Sequence, residues 1–371
     1  MKKIYFWNKY KMDFNNFVFP IPNASYSKND FKDHIIFIPK KDYSYKDKLK
    51  YNINLSNKLA NNNKSKISVN QNGKLVSHHK SSSMVQKIPS VTFTIDNKFD
   101  EGKNKKLLEK NLEYIPCLFY APENKSDIIL LYFHSNYEDI GNSSSLLKLI
   151  CKFLNINVLS IEYPNYGIYT SKNSAKAETI LSDADSIFKF INEVQNINEN
   201  NIILMGRCIG SGPATYLAKK YNVMSLILLS PLKSIKEAIK TMFPRLKIGE
   251  VIQNLVKERF NNMENISEVT SPILFIHGKK DTLIPPSHSI DLINKCKSPS
   301  KLVSPTNMTH NTFDYVQDVI VHIRNFLKVF TNYSISYLKK KENICDNGNN
   351  NEINGISFPN FMFKCPYMDK I

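Results

Sequence analysis

The sequence predicts a doubly wound α/β domain, a mostly parallel sheet with helices on both faces. Three observations predict it. From about residue 112, short apolar runs alternate with amphipathic ones at helical spacing. The apolar runs lack in–out alternation, as strands buried on both faces do. Gly, Pro, Asn and Ser punctuate the boundaries. Right-handed crossovers in such a sheet leave the strand C-termini along one edge, where ligands bind.

The elements follow in order. "DIILLYFH" (127–134) is a buried strand, and "SSSLLKLICKFLNI" (143–156) is a helix capped by a serine. "NVLSIEYP" is the next strand. "SAKAETILSDADSIFKFINEV" is a long helix with Ile180, Ala184, Ile187, Phe188 and Ile191 on one side. "NIILMG" is a strand, "GSGPATYLAKKY" a helix, and "VMSLILLSP" a strand. "SPILFIHG" and "KLVSP" supply the last two strands, and residues 311–330 the closing helix. Residues 234–265 read as a small helical lid. There Met242, Phe243, Leu246, Ile248, Val251 and Ile252 either line an acyl channel or belong to the core.

Around this domain, taken as residues 111–330, the chain is of another character. Of the formal net charge of +17, residues 1–110 carry +13, from 22 lysines against 9 acids. Residues 52–92 contain no Phe, Trp, Tyr, Asp or Glu. Such a stretch buries too little apolar surface to offset its ordering entropy. Residues 51–110 are therefore expected to be a largely disordered insertion, and 331–371 a tail. Residues 1–50 form a basic, aromatic N-terminal segment. In residues 1–20, Lys2, Lys3, Lys9 and Lys11 interleave with Tyr5, Phe6, Trp7, Tyr10, Phe14 and Phe17. That mixture suits either an anionic membrane surface or packing on the domain. No folded basic module accompanies it, so nucleic acid is not the expected partner.

No run of about 20 apolar residues is present, so no membrane-spanning helix is expected. Six scattered cysteines (117, 151, 208, 296, 345 and 365) form no zinc-like or disulfide-like pattern, and no metal or cofactor is expected. Together with the lack of a signal-peptide pattern, this points to the cytoplasm or the cytosolic face of a membrane.

Three residues fall at predicted strand ends in a telling order. Cys208 stands in Gly206-Arg207-Cys208-Ile209-Gly210, directly after a strand, which is the thiol version of the G-x-S-x-G nucleophile elbow. Gly206 and Gly210 are the elbow glycines that let strand and helix approach closely. Asp281 follows "ILFIHG", and His310 lies in "MTHNTF". They are spaced 73 and then 29 residues apart. Nucleophile, acid, histidine is the order of the α/β-hydrolase fold. The backbone N–H of Ser135 or Asn136, in "FHSN", and that of Ile209 would form an oxyanion hole. Glu138 and Asp139 order this loop or cap the next helix. Ser211 falls one turn into the elbow helix and reads as packing, not as a nucleophile. Arg207 adds positive charge beside the thiol if its side chain turns inward.

"YIPCLFYAPENKSDIILLYFHSNYEDIG", "GRCIGSGPATYLA", "LILLSPLKSI" and "NISEVTSPILFIHGKKDTLIPPSHSIDLINKC" resemble the alpha/beta-hydrolase domain-containing protein 17 group, near the yeast-type Bem family. The resemblance covers about residues 17–45 and 112–328. It implies a protein-lipid thioesterase that removes S-acyl chains from membrane-associated proteins. It also implies Cys208 as nucleophile, Asp281 as acid and His310 as base. Three departures stand out. The group has serine at Cys208 and glycine at Ser135, and its lipidated N-terminal cysteine cluster has no counterpart before Cys117. The expected function is therefore an acyl-thioester hydrolase acting on an acylated protein or related acyl substrate through a Cys-His-Asp triad. Two alternatives stay open: a catalytically inactive binding protein at a membrane surface, and an esterase or peptidase-like hydrolase of small substrates.

Overall fold

Strands covered on both faces are mostly apolar and buried along their whole length, and five runs here are buried at every position. In chain order the sheet strands are β1 (Ile35–Pro39), β2 (Tyr114–Tyr120), β3 (Ile129–Phe133) and β4 (Asn157–Ile161). Then come β5 (Ile202–Arg207), β6 (Ser225–Leu229), β7 (Ile273–Ile276) and β8 (Ser300–Val303). Every residue of β3, β4, β5, β6 and β7 is buried. The computed structural model describes residues 18–31, 33–40, 67–69, 75–77, 113–242 and 258–333.

The spatial order is β1-β2-β4-β3-β5-β6-β7-β8. β2 runs antiparallel to both β1 and β4, and the remaining pairs are parallel. This is the α/β-hydrolase fold. Register brings Phe133 opposite Gly206 and Arg207 opposite Leu229, so the C-terminal ends of β3, β5 and β6 form one rim.

The helices are α1 (Ile140–Leu154), α2 (Ala177–Lys189), α3 (Ser211–Lys220) and α4 (Ile235–Met242), followed by α5 (Asn262–Asn265), α6 (Ser287–Ile293) and α7 (Val321–Phe330). Alternate strand residues feed two cores. Ile129, Leu131 and Phe133 pack in one cluster with Ile180, Ile187 and Phe188 of α2 and Leu217 of α3. Leu130 and Tyr132 pack in the other with Leu147 and Ile150 of α1 and Ile323 and Phe326 of α7. Both faces of the sheet are thus covered, as the apolar runs require.

The N-terminal segment is part of the sheet. "IIFIP" adds β1 alongside β2, and Lys40 beyond it reaches the buried Asp183 of α2 at 2.5 Å. Val18 and Phe19, at the end of the stretch read as a membrane arm, are buried in the domain. Residues 1–17, 243–257 and 334–371 lie outside the described residues, and with them most of the aromatic arm, the lid positions Phe243 to Ile252 and the tail. Within the expected disordered insertion, Ile67–Val69 pairs antiparallel with Leu75–Ser77.

Two helix starts differ from the expectation. α1 begins at Ile140, and its cap is Asp139, not a serine. Asp139 Oδ1 accepts from Asn142 N at 2.9 Å, and Ser143 lies inside the helix. The carboxylate wins because it is held from the other side as well. Ser25 N donates to Asp139 Oδ2 at 2.6 Å, and Ser25 Oγ donates to Oδ1. The closing helix starts after Asp314, whose Oδ1 accepts from Val316 N and Gln317 N at 2.8 and 2.7 Å. A π turn, Tyr315–Ile320, leads into α7.

Asp139 is fully buried, so removing it strands several donors at once. Asp139→Ala is expected to lower unfolding stability by about 2–4 kcal/mol, from a lost cap and lost charge-assisted hydrogen bonds. Urea midpoints measured at unchanged m-value would check this. A loss below about 0.5 kcal/mol would contradict the assigned role.

Candidate active site

β5 ends at Arg207, and the chain then turns sharply through Cys208–Gly210 into α3. Cys208 sits at φ 52, in the left-handed region that costs a side chain strain. The surroundings leave the turn no relaxed alternative. A Cβ at Gly206 would lie 2.2 Å from the Gly210 carbonyl oxygen, and one at Gly210 would lie 2.2 Å from that of Phe133. Strand, turn and helix therefore cross closer than any larger residue permits. The Ser211 hydroxyl donates to Cys208 O at 2.5 Å. It accepts from Asn262 Nδ2 at 2.9 Å, and Asn262 also donates to Leu232 O. Ser211 thus ties the elbow to the segment after β6, the structural role expected for it.

His310 lies in the loop before α7. Its Nδ1 is 2.7 Å from Asp281 Oδ2. Asp281 follows β7, and its other oxygen accepts from Leu283 N and Ile284 N at 3.1 and 2.9 Å. The buried His277 lies 3.4 Å from Asp281 Oδ2 and is itself fixed by Ser289 Oγ and Ile284 O, both at 2.7 Å. Burial raises the Asp281 pKa, but hydrogen bonds with His277, His310 and the Ile284 N–H outweigh it and hold the carboxyl well below the usual carboxylate range.

His310 Nε2 is buried and makes no well-aligned hydrogen bond within the described residues, as resting active sites often do not. The Cys208 sulfur nonetheless lies near enough to the ring for the two to couple by charge. Burial alone would push the Cys208 thiol up. The His310 ring, the Arg207 guanidinium and the Ile209 N–H outweigh that, and the thiol titrates below its ordinary value. Burial would pull His310 down, but the Cys208 sulfur and Asp281 raise it to about 9. The pair is therefore biased toward thiolate and imidazolium. The structure brings Cys208, Asp281 and His310 together at the C-terminal rim of the sheet.

Arg207 does turn inward. Its Nη2 donates to His310 O at 2.9 Å and to Asn311 Oδ1 at 3.4 Å, while Nη1 pairs with Glu138. Its guanidinium lies over the Phe313 ring, 5.1 Å from the centroid. One side chain thus bridges the elbow, the loop after β3 and the His310 loop.

That bridge decides between the two candidate amides. Glu138 Oε2 accepts from Ser135 N at 3.1 Å, so the Ser135 N–H is already engaged. The Asn136 N–H has no partner among the described residues, while its side chain is clamped by Val18 O at 2.8 Å and Tyr166 Oη at 3.2 Å. Of the expected oxyanion donors, Asn136 has its N–H without a partner among the described residues, and the Ile209 N–H is directed at the Cys208 sulfur. Behind this loop lies a polar cluster that the sequence did not suggest. His134 Nε2 lies 3.0 Å from Glu162 Oε1, and both residues are fully buried. Glu162 Oε2 accepts from Tyr26 Oη at 2.8 Å, Tyr163 Oη donates to His134 O at 2.8 Å, and the His134 and Tyr163 rings lie 3.8 Å apart.

Among the described residues no group of three His, Cys, Asp or Glu side chains is disposed to hold a metal, and no helix is long and apolar enough to cross a membrane. A pocket of about 490 Å³ is lined by Asn192, Glu193, Asn196, Ile197 and Asn198, in the segment that leads from α2 into β5.

No family model matches the chain. It is 28% identical over 213 residues to the Homo sapiens alpha/beta hydrolase domain-containing protein 17B, covering 57% of this chain and 70% of that protein. To protein 17C of Mus musculus it is 28% identical over 211 residues, covering 57% of this chain and 63% of that protein. These proteins are homologues of the chain. Among solved structures, Est1E from Butyrivibrio proteoclasticus with ferulic acid bound aligns at TM-score 0.48 and 15% identity, over 58% of this chain and 96% of that one. Acetyl xylan esterase 1 from Thermoanaerobacterium sp. aligns at TM-score 0.45 and 15% identity, over 59% and 80%.

Proposed function

We propose that this α/β-hydrolase-fold chain, a homologue of alpha/beta hydrolase domain-containing proteins 17B and 17C, hydrolyses the acyl thioesters of S-acylated proteins. One observation carries the reading: a cysteine held at φ 52 on the elbow couples to a histidine that is bonded to a buried aspartate at 2.7 Å. In this reading Cys208 is the nucleophile, His310 the acid and base, and Asp281 the group that orients the ring. The N–H groups of Ile209 and Asn136 receive the oxyanion.

The Cys208 thiolate bonds to the acyl carbon, and the carbonyl oxygen takes the charge. Collapse breaks the carbon–sulfur bond of the substrate, whose thiolate leaves with the proton of His310. Acylation removes the anionic sulfur that raised the imidazole. Neutral His310 then takes a proton from water, whose oxygen bonds to the acyl carbon. The bond to Cys208 breaks, and a carboxylic acid leaves. The thiol sets the substrate class. An adduct with an oxygen ester expels the better leaving group, which is Cys208 itself, so attack mostly reverses. With a thioester the two sulfurs are matched.

The substrate class places the reaction at a membrane surface, and the lysines and aromatics before Val18 suit its anionic cytosolic face. The test is turnover of a fluorogenic long-chain acyl thioester with mass spectrometry of the trapped protein. The expectation is an acyl adduct on Cys208 and a fall in turnover of at least about 10³-fold in Cys208→Ala. Wild-type protein that neither turns over nor retains the acyl group would overturn the proposal. Faster turnover of small oxygen esters would point to a small-substrate esterase instead.

A further inference from the structure

We propose that the same site is also an S-acyl transferase, passing the acyl group of acyl-Cys208 to an acceptor thiol in competition with water. The inference rests on the reading of Cys208 as nucleophile and deepens it. The argument starts from the atom at the elbow. Attack by Cys208 exchanges one thioester for another, so the intermediate keeps the transfer potential of the donor. A serine at the same point would store the acyl group as an oxygen ester. A thiol attacking that ester would itself be the better leaving group and would be expelled. Sulfur at position 208 therefore makes acylation reversible toward any thiol that enters.

The residues around the sulfur serve the transfer in both directions. In the adduct, sulfur stands on both sides of the acyl carbon and the oxyanion is the same whichever thiol attacks, so the Ile209 and Asn136 N–H groups assigned to it serve both directions. Arg207, pinned by Glu138 and by His310 O, keeps a fixed positive charge beside the departing Cys208 thiolate. His310 Nε2 is buried and lacks a hydrogen-bond partner among the described residues, so its hydrogen-bonding capacity is left for the reacting sulfur. A thiol of ordinary pKa near ~8.5 yields its proton to an imidazole far more readily than water, near ~15.7. The step balances. The acceptor gives its proton to Nε2, its sulfur bonds to the acyl carbon, the carbon–Cys208 bond breaks, and thiolate and imidazolium are restored. No electrons change hands.

The experiment supplies the full-length protein with octanoyl-N-acetylcysteamine as donor and, in separate arms, a cysteine-bearing peptide or a small thiol as acceptor. Acylated acceptor and free octanoic acid are both quantified, with Cys208→Ala as background for uncatalysed exchange. Acylated acceptor should exceed background by at least about tenfold and rise with acceptor concentration while the acid falls. Transfer in the peptide arm alone would mark protein cysteines as acceptors, and transfer in both arms would mark thiols generally. Free acid forming at an undiminished rate, with no transfer above background in either arm, overturns this inference and leaves the hydrolase reading intact. A donor left unconsumed removes both.

Discussion

His310→Ala is expected to lower kcat/KM for an acyl thioester roughly 10⁴-fold, because the ring activates the thiol, protonates the leaving sulfur and activates water. A second readout separates this from a folding defect. In the wild-type protein two opposing influences act on Cys208. Burial favours the neutral thiol, and the His310 ring together with Arg207 and the Ile209 N–H favours the anion and wins. Removing the ring leaves burial opposed by less. The sign follows: the thiol moves up, and the thiolate fraction at neutral pH falls. Alkylation of Cys208 by iodoacetamide should persist in wild-type protein at pH values where ordinary thiols are protonated. In His310→Ala, alkylation at pH 7 should slow by at least about tenfold and recover as pH rises. Equal alkylation profiles in the two proteins would mean that the imidazole does not set the state of the sulfur, and the triad assignment would fall. Toward high pH the wild-type ring loses its proton near about 9, and its help to the thiolate fades there.

In the sheet, β3 to β7 were legible because burial on both faces leaves a largely apolar run, a signal carried by each of these strands alone, whereas β2 was not read as a strand. β1 was not legible as a strand of that sheet. "IIFIP" is separated from β2 by the whole Asn- and Lys-rich stretch, and nothing local says which edge it joins. The three candidate catalytic residues were found because α/β topology sends strand C-termini to one rim, so order along the chain stands in for distance. The bridge from Arg207 to Glu138 and His310 O, and the His134–Glu162–Tyr26 cluster, join side chains remote in sequence, so no spacing rule reaches them. One weak signal was present for each. Glu162 is an acid at the end of a buried strand. Ser135-Asn136-Tyr137-Glu138 has the S-x-x-E spacing in which a glutamate reaches back to the serine N–H. That pattern, read fully, would have withdrawn Ser135 from the oxyanion donors and left Asn136. At the start of α1 the serine cap is a misreading, while the reading of Asp139 as a cap of the next helix is correct. Three consecutive serines look like caps, but Asp139 is fixed by Ser25 from far upstream, and the helix starts where the carboxylate is held.

Cys208→Ser is expected to change which ester the site prefers, and this bears most directly on why a sulfur occupies the elbow. The variant alters one atom and keeps the φ 52 turn, the glycine crossing and the His310–Asp281 pair. Two consequences follow. A hydroxyl ionises far less readily than the thiol, whose pKa the site lowers, so thioester turnover should fall by about 10²-fold or more. The leaving-group balance also shifts. An adduct with an oxygen ester no longer returns preferentially through a sulfur, because both candidate leaving groups are alkoxides. With a thioester the substrate sulfur now leaves first and irreversibly. The ratio of oxyester to thioester turnover, measured with one acyl chain on matched alcohol and thiol leaving groups, should therefore rise by at least about tenfold in the variant. The ratio is the informative quantity, since a general loss of activity cancels from it. An unchanged ratio would mean that leaving-group balance does not set selectivity. The preference would then have to come from the acyl channel or the oxyanion donors, and sulfur at position 208 would carry no chemical meaning for the substrate.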